Sequence, residues 1–189
     1  MDFKIHIETA WKETMNHIVP LILLTLAFMA ASALTLGILA PVCLAGYMYS
    51  ILRLMREGRQ PYYTDIFSHI GLFFPLLGFG LAVLVVGMIG LALLVLPGLA
   101  FFLFVSYSCL FMLPLMIDEQ LGLLESVKKS FGMVTQGDLA ENIVVFILFA
   151  SMVSIGSISL IGAILLQPLA TIFLLSVYLE KSVSPPPMA

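Results

Sequence analysis

Charge is what this sequence has least of. Between Gly71 and Ile117 there is no Asp, Glu, Lys, Arg or His. Over all 189 residues only 10% are charged, against roughly 25% in soluble domains. Hydrophobic residues make up 61% and the mean hydropathy is +1.14. A chain of this size cannot hide so much apolar surface in water, because a domain of about 150 residues still exposes roughly a third of its chain surface. A water-soluble globule is excluded and a polytopic membrane protein is expected.

Other absences exclude other classes. The two cysteines, Cys43 and Cys109, fall in apolar runs, which argues for free thiols and against a disulfide framework. His6, His17 and His69 have no metal-ligand spacing and no H-E-x-x-H pattern. There is no P-loop, no dinucleotide fingerprint and no strongly basic surface. No metal, no cofactor, no nucleic-acid partner and no catalytic residue is therefore expected. Asp118-Glu119 could do acid/base work, yet a solvated helix end explains the pair at less cost. No ionisable group sits at mid-span, which weakens ion-coupled transport.

What is present is a set of apolar runs about twice the length of one span, which is about 20 residues. Gly71 to Ile117 reads as two helices turning at Leu96–Gly98, where Pro97-Gly98 is a turn signal. Ile18 to Leu52 reads the same way, broken at Gly37 and Pro41. The expected helices are 19–37, 40–56, 70–95, 98–117, 142–159 and 161–179. The fold class is all-α: a bundle of six transmembrane helices in three hairpins, forming one domain over 1–180, then a disordered proline-rich tail over 181–189. Ala31-Ser32-Ala33 mimics a signal-peptide cleavage site, but Asp2, Glu8 and Glu13 precede it and a second apolar segment follows directly. The hairpins share PVCLAG at Pro41, PGLA at Pro97 and PLAT at Pro168, which leaves a triplication open.

Two polar segments are patterned. At about 2–17, Phe3, Ile7, Ala10, Trp11, Thr14 and Ile18 recur at helical spacing. This is an amphipathic helix, either lying in the interface with Trp11 at headgroup depth or packed on the protein's own inner face. At about 119–135, Leu121, Leu124, Val127, Phe131 and Val134 form a second stripe, with Lys128 and Lys129 on the other face.

Counting six spans puts every Lys and Arg on one side, together with both termini, and leaves the turns near 37–40, 96–98 and 159–162 uncharged. By the positive-inside rule that side is cytoplasmic. Arg53, Arg56 and Arg59 cluster there, as juxtamembrane basic groups that contact phosphates do. With Lys128 and Lys129 they are the expected contacts for lipid headgroups or a partner. Gln167, beside Pro168, is the expected intramembrane polar contact. Small pairs such as Ala27-xxx-Ala31, Gly46-xxx-Ser50 and Ala150-xxx-Ser154, with the glycines at 71, 78, 80 and 87, suit close helix approach within a monomer or across a homodimer.

The stretch carrying Arg53, Arg56, Gly58, Pro61, Asp65 and Phe67 resembles the R-x-x-R-x-G-x-x-P-x-x-x-D-x-F segment of a family of bacterial six-helix inner-membrane proteins of unknown function. That family is related to the membrane domain of glycerophosphodiester phosphodiesterases. Glu119, Gly122, Ser126, Ser130 and Gly137 are similar to its second polar helix, and Pro97-Gly98 to its outer turn. Ser126 departs from the usual alanine, and the aromatic usual after Gly137 is missing. The resemblance implies a fold and an inner-membrane setting; it carries no activity, since no phosphodiesterase domain is present.

Three functional readings follow. The first is a non-enzymatic accessory or scaffold protein that binds a partner or anionic headgroups at the cytoplasmic face. The second is a small transporter or lipid translocator. The third is a lipid-modifying enzyme, which a groove joining Asp118, Glu119 and His69 would favour.

Overall fold

The structure, a computed structural model, describes residues 2–135 and 138–183. The expected tail at 181–189 lies largely outside them, as does Gly137. Helix dominates: α1 (Phe3–Asn16), α2 (Ile18–Leu34), α3 (Ala40–Glu57), two 3-10 turns (Tyr63–Phe67 and Ile70–Leu72), α4 (Phe73–Leu93), α5 (Val95–Ser108), α6 (Met112–Asp118), α7 (Leu123–Thr135), α8 (Leu139–Gly156) and α9 (Leu160–Val183).

Local chemistry sets these boundaries. Asp2 caps α1 by accepting from the Lys4 N–H at 3.1 Å, which satisfies an otherwise orphaned donor. After α2 the chain turns through Leu36 and Gly37, both at positive φ (51° and 82°). Pro41 then sits in the first turn of α3, where its missing N–H costs nothing. Gly58 ends α3 in the left-handed conformation (φ 65°), the usual glycine C-cap.

Two departures from the sequence reading concern the stretch 93–118. The corner between α4 and α5 is one extended residue, Leu94 (φ −154°, ψ 125°), rather than Leu96–Gly98. Pro97 and Gly98 lie inside the first turn of α5, where proline is tolerated. Gly98 serves close packing: a Cβ there would stand 2.5 Å from the Leu91 nitrogen. The helix expected at 98–117 is broken between Ser108 and Met112. Pro114, in the first turn of α6, cannot donate to the carbonyl four residues back. Ser130 of α7 spans the break, donating to the Ser108 carbonyl at 2.7 Å and accepting from the Phe111 N–H at 3.1 Å.

Four helical segments are long and apolar enough to cross a membrane: Tyr63–Leu93, Val95–Asp118, Leu139–Gly156 and Leu160–Ser182. α1 and α2, which meet at 90°, make a fifth if taken as one broken span. The expected six is reached only by adding α2 and α3 separately. By length and charge neither stands alone, for α2 has 17 residues and α3 ends with Arg53, Arg56 and Glu57.

α9 and α3 form the centre. From Ala170 to Leu175 every α9 residue is at most 1% exposed, and α3 buries Val42, Cys43, Tyr47 and Ile51. α4 lies at the periphery: of its 21 residues only Leu76 and Gly87 are buried. A helix that is apolar all round but exposed has lipid as its natural solvent.

Polar ties collect at one end of the bundle. The buried ring of His6 in α1 meets Ser176 (Nδ1 to Oγ, 2.9 Å) and Glu180 (Nε2 to Oε2, 2.6 Å) in α9. Lys181 donates to Asn142 of α8, whose own amide donates to the Val134 carbonyl at 2.9 Å. The corners at 34–40, 93–95 and 156–160 mark the other end, where Leu34, Leu36, Leu93 and Ile158 are each more than three-quarters exposed.

Candidate functional site

The last two turns of α3 build one wall of a cleft. Tyr49, Arg53 and Arg56 follow at spacings of four and three, so they share one face of the helix. Ser68 and His69, between the two 3-10 turns, form the second wall, and Ile117, Asp118 and Gln120 the third. Gln120 takes a left-handed conformation (φ 53°), which turns the chain from α6 towards α7. The cleft has a volume of about 400 Å³, within the ~300–1,000 Å³ of ligand pockets.

A glycine sets the loop in place. A Cβ on Gly46 would lie 2.4 Å from the carbonyl oxygens of Asp65 and Ile66, so the first 3-10 turn rests directly on the α3 backbone. One helical turn on, the hydroxyl of Ser50 donates to Asp65 at 2.7 Å. The Gly46–Ser50 pair thus seats a loop, where the sequence suggested a second helix. Arg59 also pairs with Asp65 and stands over the Tyr62 ring at 5.5 Å.

Each expected arginine has a carboxylate partner. Arg53 Nη1 donates to both oxygens of Glu57 (3.0 and 2.8 Å), with its guanidinium over the Tyr49 ring at 5.2 Å. Arg56 grips Asp118 with two parallel bonds of 2.5 and 2.7 Å, the bidentate geometry that suits guanidinium and carboxylate. The Tyr178 hydroxyl donates to the same carboxylate at 2.8 Å. The Asp118 side chain is only 9% exposed and reaches the cleft already accepting three hydrogen bonds. His69 bonds Ser68 (Nδ1 to Oγ, 2.8 Å) and packs edge-on against Tyr49, with ring centroids 4.7 Å apart.

Of the expected contacts, Arg53 and Arg56 therefore share the cleft and Arg59 lies outside it. Lys129 pairs with Glu119, and Lys128 is exposed on α7. The groove joins Asp118 to His69 but leaves Glu119 among the α7 contacts. Gln167 is half-buried on α9, which runs unbroken through Pro168; its backbone carbonyl accepts from Thr171 at 2.9 Å. Among the described residues no three His, Cys, Asp or Glu side chains converge as a metal site would require.

Sequence reasoning gave no structural role to Tyr178 or His6 and none to the Ser130 hydroxyl. Tyr178 lies in an apolar run and gives no signal. His6 could have been found: with Ala10 and Thr14 it forms the small, buried stripe of α1, at a spacing of four. Comparison with protein-family models, curated proteins and solved structures finds no match.

Proposed function

We propose that the chain is a six-span integral protein of the bacterial inner membrane, with both termini cytoplasmic. It acts as an accessory or scaffold protein that holds the phosphate of a lipid headgroup in the cleft beside Arg53 and Arg56. The observation that carries this reading is the cleft itself: two arginines on one helix face, at the end of an apolar bundle where the polar ties collect. Aromatic side chains flank that end. Trp11, Tyr62 and Tyr63 are 59%, 56% and 61% exposed, as suits an interfacial belt. Ile7, Trp11 and Met15, spaced by four, form an exposed stripe on α1, which meets α2 at 90° and so would lie along the surface if α2 crosses it.

Binding is favoured over catalysis because the Asp118 carboxylate is already engaged by two bonds from Arg56 and one from Tyr178. Native mass spectrometry in mild detergent tests the reading. Arg53→Gln, and Arg56→Gln combined with Asp118→Asn so that no carboxylate is stranded, are expected to lose retained phospholipid. Lys128→Gln is expected to keep it. Unchanged retention in all three would remove the cleft from lipid binding. The same spectra give the subunit number and so decide whether a homodimer exists.

A further inference from the structure

The charges around the cleft cancel. Arg53 and Arg56 contribute two positive charges, and Glu57 and Asp118 contribute two negative ones. A headgroup with net negative charge would enter beside two carboxylates and gain no net attraction. A zwitterionic headgroup meets a cation for its phosphate and an anion for its ammonium. We propose that the cleft selects a phosphodiester bearing a primary ammonium, the phosphoethanolamine class, over anionic headgroups; this rests on the reading above that the cleft holds a lipid headgroup.

The residues divide the work between them. Both bonds from Arg53 to Glu57 leave from Nη1, so Nη2, with two N–H donors, faces no carboxylate among the described residues. That edge takes the phosphate, with Arg56 behind it. The Glu57 side chain is 50% exposed and, among the described residues, accepts from Arg53 alone. Its spare lone pairs take the ammonium, helped by the amide oxygen of Gln120 on the facing wall. Asp118, engaged by two bonds from Arg56 and one from Tyr178, holds Arg56 in place and leaves the ammonium to Glu57. An ammonium with three N–H donors uses both acceptors. A trimethylammonium group cannot donate, and one tyrosine is no aromatic cage, so choline headgroups rank below ethanolamine ones. Leu52 and Ile117, both 4% exposed, line the same cleft and offer apolar contact to the glycerol end of a lipid.

The test uses the full-length protein, delipidated in mild detergent. Phosphatidylethanolamine, phosphatidylglycerol and phosphatidylcholine are titrated separately, and bound lipid is counted by native mass spectrometry. Phosphatidylethanolamine is expected to bind about tenfold more tightly than the other two, the size of one charge-assisted hydrogen bond. Glu57→Gln should abolish that preference while leaving thermal stability unchanged, since the Arg53–Glu57 pair is surface-exposed and contributes little. Equal or tighter binding of phosphatidylglycerol would overturn the ethanolamine assignment but leave headgroup binding intact. Indifference of every lipid to Arg53→Gln would overturn headgroup binding itself. Soluble glycerophosphoethanolamine is expected to displace bound lipid only in large excess; equal potency would overturn the membrane as the source of the ligand.

Discussion

Gly46→Ala should destabilise the protein although it adds one methyl group and favours helix. The added Cβ would stand 2.4 to 2.5 Å from three backbone atoms of Asp65 and Ile66, and backbone cannot rotate away as a side-chain tip can. Overpacking of this kind costs about 1–3 kcal/mol. Lifting the 3-10 turn also lengthens the Ser50–Asp65 hydrogen bond, now 2.7 Å, and a bond to a charged group contributes about 1.5–3 kcal/mol. Against this stands the gain from replacing a helical glycine, about 1 kcal/mol. Gly78→Ala is the matched control: it carries the same propensity gain, and a Cβ there meets nothing within 4 Å. The propensity term cancels between the two, leaving Gly46→Ala less stable than Gly78→Ala by about 1–3 kcal/mol if the hydrogen bond survives and about 2.5–6 kcal/mol if it is lost. Titration with sodium dodecyl sulfate in mixed micelles, followed by far-ultraviolet circular dichroism, measures the difference. Curves that coincide within about 0.5 kcal/mol, roughly the scatter of innocuous surface substitutions, would refute the close seating of the loop on α3.

Ser130→Ala should cost about 1–3 kcal/mol in the same assay, because it strands the buried Phe111 N–H. Ser126→Ala, whose hydroxyl makes a long 3.5 Å contact to the Leu121 carbonyl, should cost far less; equal losses would show that Ser130 does not brace the helix break. In folded protein, N-ethylmaleimide should modify half-buried Cys109 first and fully buried Cys43 only on unfolding. Mass spectrometry after timed labelling reads this, and early modification of Cys43 would contradict the packing around α3.

The helical character and its punctuation were legible because they depend on local chemistry. Gly58 stops α3 and Gly37 turns the chain after α2, each through a backbone conformation that glycine adopts freely. What could not be read is where a small residue's neighbour comes from. The Gly46–Ser50 stripe signalled close approach correctly in kind, but its occupant is the loop at 63–67, with Asp65 fifteen residues beyond Ser50. Pro97-Gly98 signalled a turn, yet the corner falls three residues earlier, since proline in a first helical turn and a glycine packed on Leu91 satisfy the same sequence without breaking the helix. The arginines read as a free basic cluster because their carboxylates are scattered: Glu57 lies within the segment, whereas Asp118 is 62 residues from Arg56. Charge pairing at that distance leaves no pattern in a single sequence.

The polar ties described above converge on six consecutive positions of α9. Ser176 and Glu180 hold α1, Tyr178 holds the end of α6, and Lys181 holds the start of α8. During synthesis α9 follows every element it fastens. Until it arrives, His6 lacks both of its side-chain partners, Asp118 lacks the Tyr178 hydroxyl and Asn142 lacks Lys181. Four side chains of the last helix thus tie it to three others: loss of Ser176 or Glu180 loosens α1, loss of Tyr178 loosens the end of α6, and loss of Lys181 loosens the start of α8.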